Sequence, residues 1–264
     1  MKKDKKVVKL RKNNFFKNSI FIPFILLITA LIILAFSPLF NIKEIKVKGN
    51  LRLTENTIVK ESGIEIGQNI LRLNKNTIKD QLFQLPYIED VNIRRNWPDT
   101  IAISIIEKSE IAKVVTFGAT IALDKNGQVL EAYSDNSILD VPLIDNVEIF
   151  NYGINKALET SDNEKVNNLL EVLKIFEKND MLQVVEKIDK NDGIIIYTKD
   201  GHIANLGDMT DLDYKIKRLK AATNKENSEK YYFDISNLNI NTISKPLWTI
   251  REEKQDTEVE ADEE

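Results

Sequence analysis

The stretch "SPLFNIKEIKVKGN", residues 37–50, changes character partway through. "SPLF" continues the apolar run that precedes it. From Ile42 the pattern turns to period two, with Ile45 and Val47 facing one way and Glu44, Lys46 and Lys48 the other, which is the signature of a half-buried strand. Gly49-Asn50 then ends the strand in a turn. A chain that passes from a lipid-like pattern to a strand-like one with no linker places a folded domain directly beside an apolar segment.

Upstream, residues 20–36, "IFIPFILLITALIILAF", carry no charge, and with Ser37 to Phe40 the run reaches residue 40. As a helix that stretch is roughly 30 Å long, enough to span a bilayer. Eight Lys or Arg residues and one acid, Asp4, precede it within residues 1–18. The positive-inside rule then puts the N-terminus in the cytoplasm and the bulk of the chain outside. A cleaved signal peptide is the rival reading. The run exceeds the roughly 7–15 residues of such an apolar region, and its one small-x-small site, Ala35-Phe36-Ser37, is followed at once by Pro38. An uncleaved single-pass anchor is expected, with a cytoplasmic basic tail over residues 1–19 and the span over 20–40.

The 264 residues hold 37 bases and 41 acids, a net charge of -4; past residue 18 there remain 29 bases and 40 acids. The positive charge is local to the tail, so a basic nucleic-acid-binding face is not indicated. The chain has no cysteine, which removes disulfides, thiolate ligands and thiol nucleophiles.

Downstream of the first strand, Thr54 is positioned to cap a short helix, "ENTIVKES", closed by Gly63. Asn74 caps a second, with Ile78, Leu82 and Leu85 on one face until Pro86. Val91 and Ile93 mark one strand, and Ile101, Ile103 and Ile105 the next, with Trp97-Pro98-Asp99 as the turn between them. The Trp is expected to cover the hairpin end, with Arg94 and Arg95 on an exposed face. Residues 41–108 therefore read β-α-α-β-β.

Further strands are expected at "IAKVV", "TIALD" and "QVLEA", with Asp124 to Gly127 as a hairpin connection. Ser161-Asp162-Asn163-Glu164 reads as a capping box with Ser161 as the cap, opening a helix with Val166, Leu169, Leu170, Leu173 and Phe176 inward. "QVVEKID", "GIIIYT" and "HIANLG" follow as strands. Thr210 is expected to cap a helix burying Leu212, Ile216 and Leu219, and "KYYFDIS", residues 230–236, is a late strand. The last 14 residues, "REEKQDTEVEADEE", hold eight acids and two bases and read as a solvated tail.

The ordered set "FNIKEIKVKGN", "LPYIEDVNIRRNWPDTIAISIIEK" and "ALDKNGQVL", beside a single anchor, resembles the POTRA domain and the FtsQ/DivIB family of bacterial division proteins. "DGHIANLG", "KIKRLKAA" and "YYFDIS" are similar to the end of that family's β domain. The resemblance implies an α+β chain: one transmembrane helix, a POTRA domain over 41–108, a mixed β-sheet domain with flanking helices over 109–240, and a tail over 241–264.

No catalytic or cofactor constellation is apparent. His202 is the single histidine, so no histidine-pair metal site exists, and it reads as a strand-surface residue. No GxSxG elbow, phosphate loop or dinucleotide fingerprint is present. The carboxylates lie at helix starts, turns and the tail, where capping or solvation accounts for them. No enzyme activity, cofactor, metal, nucleic acid or small-molecule substrate is expected.

The resemblance implies a non-enzymatic scaffold at the division septum, linking cell-wall synthesis proteins. The late strand, near the chain's end, suggests an open sheet edge that accepts a partner strand. The resemblance implies that the partners are proteins like FtsB/DivIC and FtsL, and by it Tyr231, Tyr232, Phe233, Asp234 and Ile235 are the partner-binding residues. Tyr231 and Phe233 fit plain β-core equally well, since alternation buries one face either way. The alternatives are a membrane-anchored wall hydrolase or its regulator, and a transport-associated POTRA protein, which would carry repeated modules or a barrel.

Overall fold

The computed structural model describes residues 15–116, 118–134, 139–191, 193–223, 230–238 and 247–250, with the backbone alone for 15–20 and 247–250. The basic tail up to residue 14 and the acidic end from residue 251 lie outside the described residues. The chain forms two compact units. One comprises residues up to Phe83 with Glu89–Glu107; the other comprises Gln84–Ile88 with the residues from Lys108 on.

In the first unit, α1 runs Phe15–Ala35 and stops five residues short of Phe40. Proline has no N–H to give and disfavours helical backbone in the residue before it, so Pro38 turns Ser37 extended. Ser37 instead caps a single 3-10 turn, Pro38–Phe40, its hydroxyl accepting from the Leu39 amide at 3.3 Å. Among the residues whose side chains are described, no helix is long and apolar enough to cross a membrane; for α1 these begin at Phe21.

β1 (Glu44–Lys48) alternates as its sequence demands. α2 (Glu55–Glu61) is capped by Thr54 and α3 (Lys75–Leu82) by Asn74. α3 ends before Leu85, which is half-buried in the turn that follows. β2 (Ile88–Asn96) and β3 (Thr100–Glu107) complete a three-stranded sheet of order β1-β3-β2, with β1 parallel to β3. The helices close one core with it, from Ile58, Ile78 and Leu82 to Val91, Ile93, Ile101 and Ile103, all buried. Gly49, at φ +87°, lets the chain leave β1 against β3, since a Cβ there would lie 2.1 Å from the Ile105 carbonyl oxygen.

Arg95 does not line an exposed face. Its guanidinium turns inward and donates to the carbonyls of Ile70 (2.9 Å) and Leu73 (2.6 Å), because that loop offers acceptors that no strand satisfies.

The second unit contains β4 (Ala112–Thr116), β5 (Ala119–Leu123), β6 (Val129–Tyr133), β7 (Leu143–Ile144), β8 (Ile149–Asn151), β9 (Glu159–Thr160), α4 (Asn163–Lys178), β10 (Val185–Lys190), β11 (Ile194–Thr198), β12 (Ile203–Gly207), α5 (Leu212–Thr223), β13 (Tyr231–Asp234) and β14 (Leu247–Ile250). Among the described residues nine strands form one sheet, in the order β14-β13-β12-β11-β10-β7-β4-β5-β6, while β8 and β9 pair separately. It is mixed: β7 lies parallel to β4 and β10, and β12 parallel to β13. A parallel pair requires a crossover, which α5 supplies between β12 and β13.

α4 and α5 share one apolar core with the sheet, Phe176, Leu173, Ile216 and Leu219 among its members. The cap of α4 is Asp162, one residue past the Ser161 of the expected box; its carboxylate accepts from the Lys165 amide at 2.8 Å. α5 is not capped by Thr210. Asp211, at φ +50°, flanks it and accepts from the Lys215 amide, while the Thr210 hydroxyl and amide both donate to Asp208.

A polar cluster ties Gln84–Ile88 into this unit. The Tyr87 hydroxyl lies 2.7 Å from Glu110 Oε1 and 2.9 Å from Glu131 Oε2, and the Tyr133 hydroxyl 3.2 and 3.0 Å from the same two atoms. Burial, with the two carboxylates as acceptors, pushes the Tyr87 phenol far above its ordinary range.

Candidate partner-docking edge

β13 carries the residues that sequence reasoning singled out, and the structure gives each a place. Phe233 and Ile235 are buried members of the core; Tyr231, Tyr232 and Asp234 are half-buried. Four of the five sit on β13 and Ile235 follows it directly, yet Phe233 and Ile235, at alternate core positions, have no surface to offer. Asp234 closes the strand by accepting from the Ser236 amide (3.1 Å) and hydroxyl (2.7 Å), a local turn that side chains of this length favour.

β13 is not the sheet's edge. β14 pairs antiparallel with it, Tyr231 opposite Ile250 and Asp234 opposite Leu247, and β14 is the outermost strand on this side among the described residues. Part of the segment expected as a tail thus extends the sheet. "LWTI" follows a polar stretch and is only four residues long, too short for alternation to declare it.

Two residues with no expected role hold this end of the sheet together, one at β13 and one at the end of β12. His202, expected at a strand surface, is 8% exposed. Its Nδ1 accepts the Tyr231 amide at 3.1 Å, and its ring lies 5.8 Å from that of Tyr231 and 5.7 Å from that of Phe233. The reason is the turn before β12: the His202 amide donates to the Thr198 hydroxyl at 2.9 Å, which directs the imidazole toward β13.

Lys215 is fully buried on α5. Its Nζ donates to the Leu206 carbonyl at 2.8 Å, the Asp208 carbonyl at 3.3 Å and Asp208 Oδ1 at 3.1 Å, pinning the crossover helix to the end of β12. The Thr210 hydroxyl and amide, with Lys215, hold the Asp208 carboxyl down at about 2. The neighbours of Lys215 do reveal it in retrospect: it falls three residues after Leu212 and four before Leu219, on the side these two share with Ile216.

At the end of β12, Gly207 sits at φ +68° with the Ser236 backbone so close that a Cβ would fall 2.9 Å from its Cα. This end of the sheet is thus a strand ladder, β12-β13-β14, held from beneath by a histidine, a buried lysine and a close backbone approach. Its chemistry is that of backbone pairing. Among the described residues no group of three or more His, Cys, Asp or Glu side chains is placed to hold a metal ion.

A family model described as "POTRA domain, FtsQ-type" matches residues 40–108, the segment that forms the β-α-α-β-β order around the β1-β3-β2 sheet. The chain is also similar to the cell division protein DivIB of Clostridium acetobutylicum, 33% identical over 51% of this chain and 55% of that protein, and to DivIB of Clostridium tetani, 31% identical over 54% of each. Together these matches support the FtsQ/DivIB family for this chain. DivIB of Macrococcus caseolyticus is 26% identical over 89% of this chain and 77% of its own length, so that likeness reaches well into the second unit. The matches span about half the length of the two clostridial relatives. All three relatives are named as cell division proteins, and the α+β character of the chain agrees with that family.

Proposed function

We propose that this chain is a non-catalytic, single-pass scaffold of the bacterial division machinery. Residues 20–40 anchor it in the cell membrane, with residues 1–19 in the cytoplasm. A POTRA domain over 41–108 and a β domain from residue 109, its sheet extended past residue 240 by β14, lie outside, at the septum. The uncharged run over 20–36 and the eight bases before it support the anchor and its orientation; the division-protein relatives support the septal role.

The β domain docks partner chains at the β13–β14 end of its sheet. One observation carries this reading: the nine-stranded sheet ends at β14, a four-residue strand with no neighbour on its outer side among the described residues. A partner in extended conformation adds a further strand there, its backbone supplying affinity and its alternate side chains specificity. Tyr231, Tyr232 and Asp234 contribute from β13 through their half-buried faces, and Phe233 and Ile235 contribute by shaping the strand from the core. Partners of the FtsB/DivIC and FtsL type are the chains this edge serves.

The test is copurification of such partners with the full-length chain carrying Tyr232→Lys. Loss of the partners with the fold intact by circular dichroism is expected. Full retention overturns the docking reading.

A further inference from the structure

Three stretches distant in sequence meet where α1 ends. The Asn69 side-chain Nδ2 donates to the Ala35 carbonyl at 2.8 Å, satisfying one of the acceptors that a helix C-terminus leaves open. The Arg72 guanidinium lies 4.7 Å from the centre of the Phe36 ring. Backbone bonds join Ile70 to Phe40 (2.8 Å), Gly67 to Ile42 (2.8 Å) and Ile42 to Gln68 (2.9 Å), and Trp97 meets Phe40 edge-on at 6.0 Å. The chain leaving α1 is therefore built into the folded unit over residues 67–72 and at the turn after β2.

That junction exposes apolar surface. Phe36 is 59% exposed, Leu39 48%, Leu71 44% and Trp97 55%, although the core of this unit is closed. Ile33 and Leu34, in the last turn of α1, are exposed as well. The four side chains lie at the end where the parallel strands β1 and β3 both begin. Two cations accompany them, Arg72 and Lys43, the latter paired with Asp99 at 2.9 Å. Trp with basic side chains beside an apolar helix is the composition of a membrane interface, where the ring takes the headgroup level and the cations meet phosphate.

We propose that Phe36, Leu39, Leu71 and Trp97 form a collar seated in the outer headgroup layer of the bilayer, with Arg72 at the lipid phosphates. The first unit is thereby held against the membrane in one orientation rather than swinging on a tether. This rests on the membrane anchor proposed above and adds a second lipid-contacting surface, on the folded domain itself.

The cysteine-free sequence permits a direct test. Leu39→Cys, Leu71→Cys and Ile106→Cys are each introduced into the full-length chain, spin-labelled and reconstituted in phosphatidylglycerol–phosphatidylethanolamine vesicles. Ile106, 57% exposed near the far end of β3, is the aqueous control. Labels at 39 and 71 are expected to be severalfold less accessible to a nickel chelate than the label at 106, and more accessible to oxygen. Chelate accessibility equal to that at 106, in protein that floats with the vesicles, overturns the collar and leaves the anchor standing. Protein that does not float overturns both. A second measurement avoids any disturbance of the collar by labels: in the Trp248→Phe chain, brominated lipids should quench Trp97 emission, and quenching by aqueous iodide alone overturns the proposal.

Discussion

Replacing Lys215 by Met tests whether the buried lysine holds the β12–β14 end of the sheet together. The side chain is fully buried, so the substitution keeps the stem's packing and removes only the ammonium. Two of its three acceptors belong to Asp208, whose side chain is 68% exposed and regains water when the lysine is lost. The cost therefore falls on the carbonyl of Leu206, a buried residue that loses its 2.8 Å donor. Depriving a buried acceptor of its partner costs about 1–3 kcal/mol. With a urea slope of about 2 kcal/mol/M, the midpoint should fall by about 1 M. The assay is urea unfolding of the full chain in detergent, followed by tryptophan emission in a Trp97→Phe background that leaves Trp248, in β14, as the reporter. Lys215→Ala should fall further, because a cavity term of about 2 kcal/mol or more is added. Asp208→Asn should lower the midpoint by less than Lys215→Met, because its exposed carboxylate is largely solvated and Asn keeps an acceptor for Lys215. A Lys215→Met midpoint within about 0.3 M of the parent, on that slope, would refute the argument.

Other expectations concern pH, local backbone and topology. The Asp208 carboxyl is depressed to about 2, so its contribution to stability is complete above the unfolded value of about 3.9 and is lost as pH falls through about 2. Urea midpoints between pH 4.5 and pH 2 should decline less steeply in Asp208→Asn than in the parent, and parallel declines would contradict the assignment. Asp162→Ala should cost about 1 kcal/mol and Ser161→Ala almost nothing, since the cap is Asp162; the reverse order in thermal melts would restore the expected capping box. Gly49→Ala forces a Cβ against the Ile105 carbonyl at positive φ and should destabilise the first unit by about 2 kcal/mol or more, read by hydrogen exchange of the β1 and β3 amides. A periplasmic-type reporter fused after residue 264 should be active only outside the cytoplasm, and cytoplasmic activity would reject the proposed orientation.

Much of the fold was legible because local chemistry and tertiary packing agree. Thr54 and Asn74 cap where the sequence places them, Ile101, Ile103 and Ile105 alternate into a core, and Asp124–Gly127 turns between β5 and β6. What was not legible depends on partners distant in the chain. Arg95 looks like a surface arginine until the carbonyls of Ile70 and Leu73 come within reach. His202 looks like a strand-surface residue until Tyr231 arrives beside it through the α5 crossover. β14 has too few residues for a period to show, and its pairing follows from β13 rather than from its own pattern. Of the five candidate docking residues, alternation left Tyr231 and Phe233 divided between core and interface, and packing buries Phe233 in the core.

The central claim, that partners dock at the β14 end of the sheet, is tested most directly by site-specific photo-crosslinking in dividing cells. A photoreactive residue is placed in turn at Tyr232 on β13, at Thr249 on β14 and at Ala132 on β6, the strand at the opposite end of the sheet. Capture of a single-pass division partner from 232 and 249, with none from 132, is the predicted result. Capture from 132 alone, with 232 and 249 silent in chains that still support division, would contradict it.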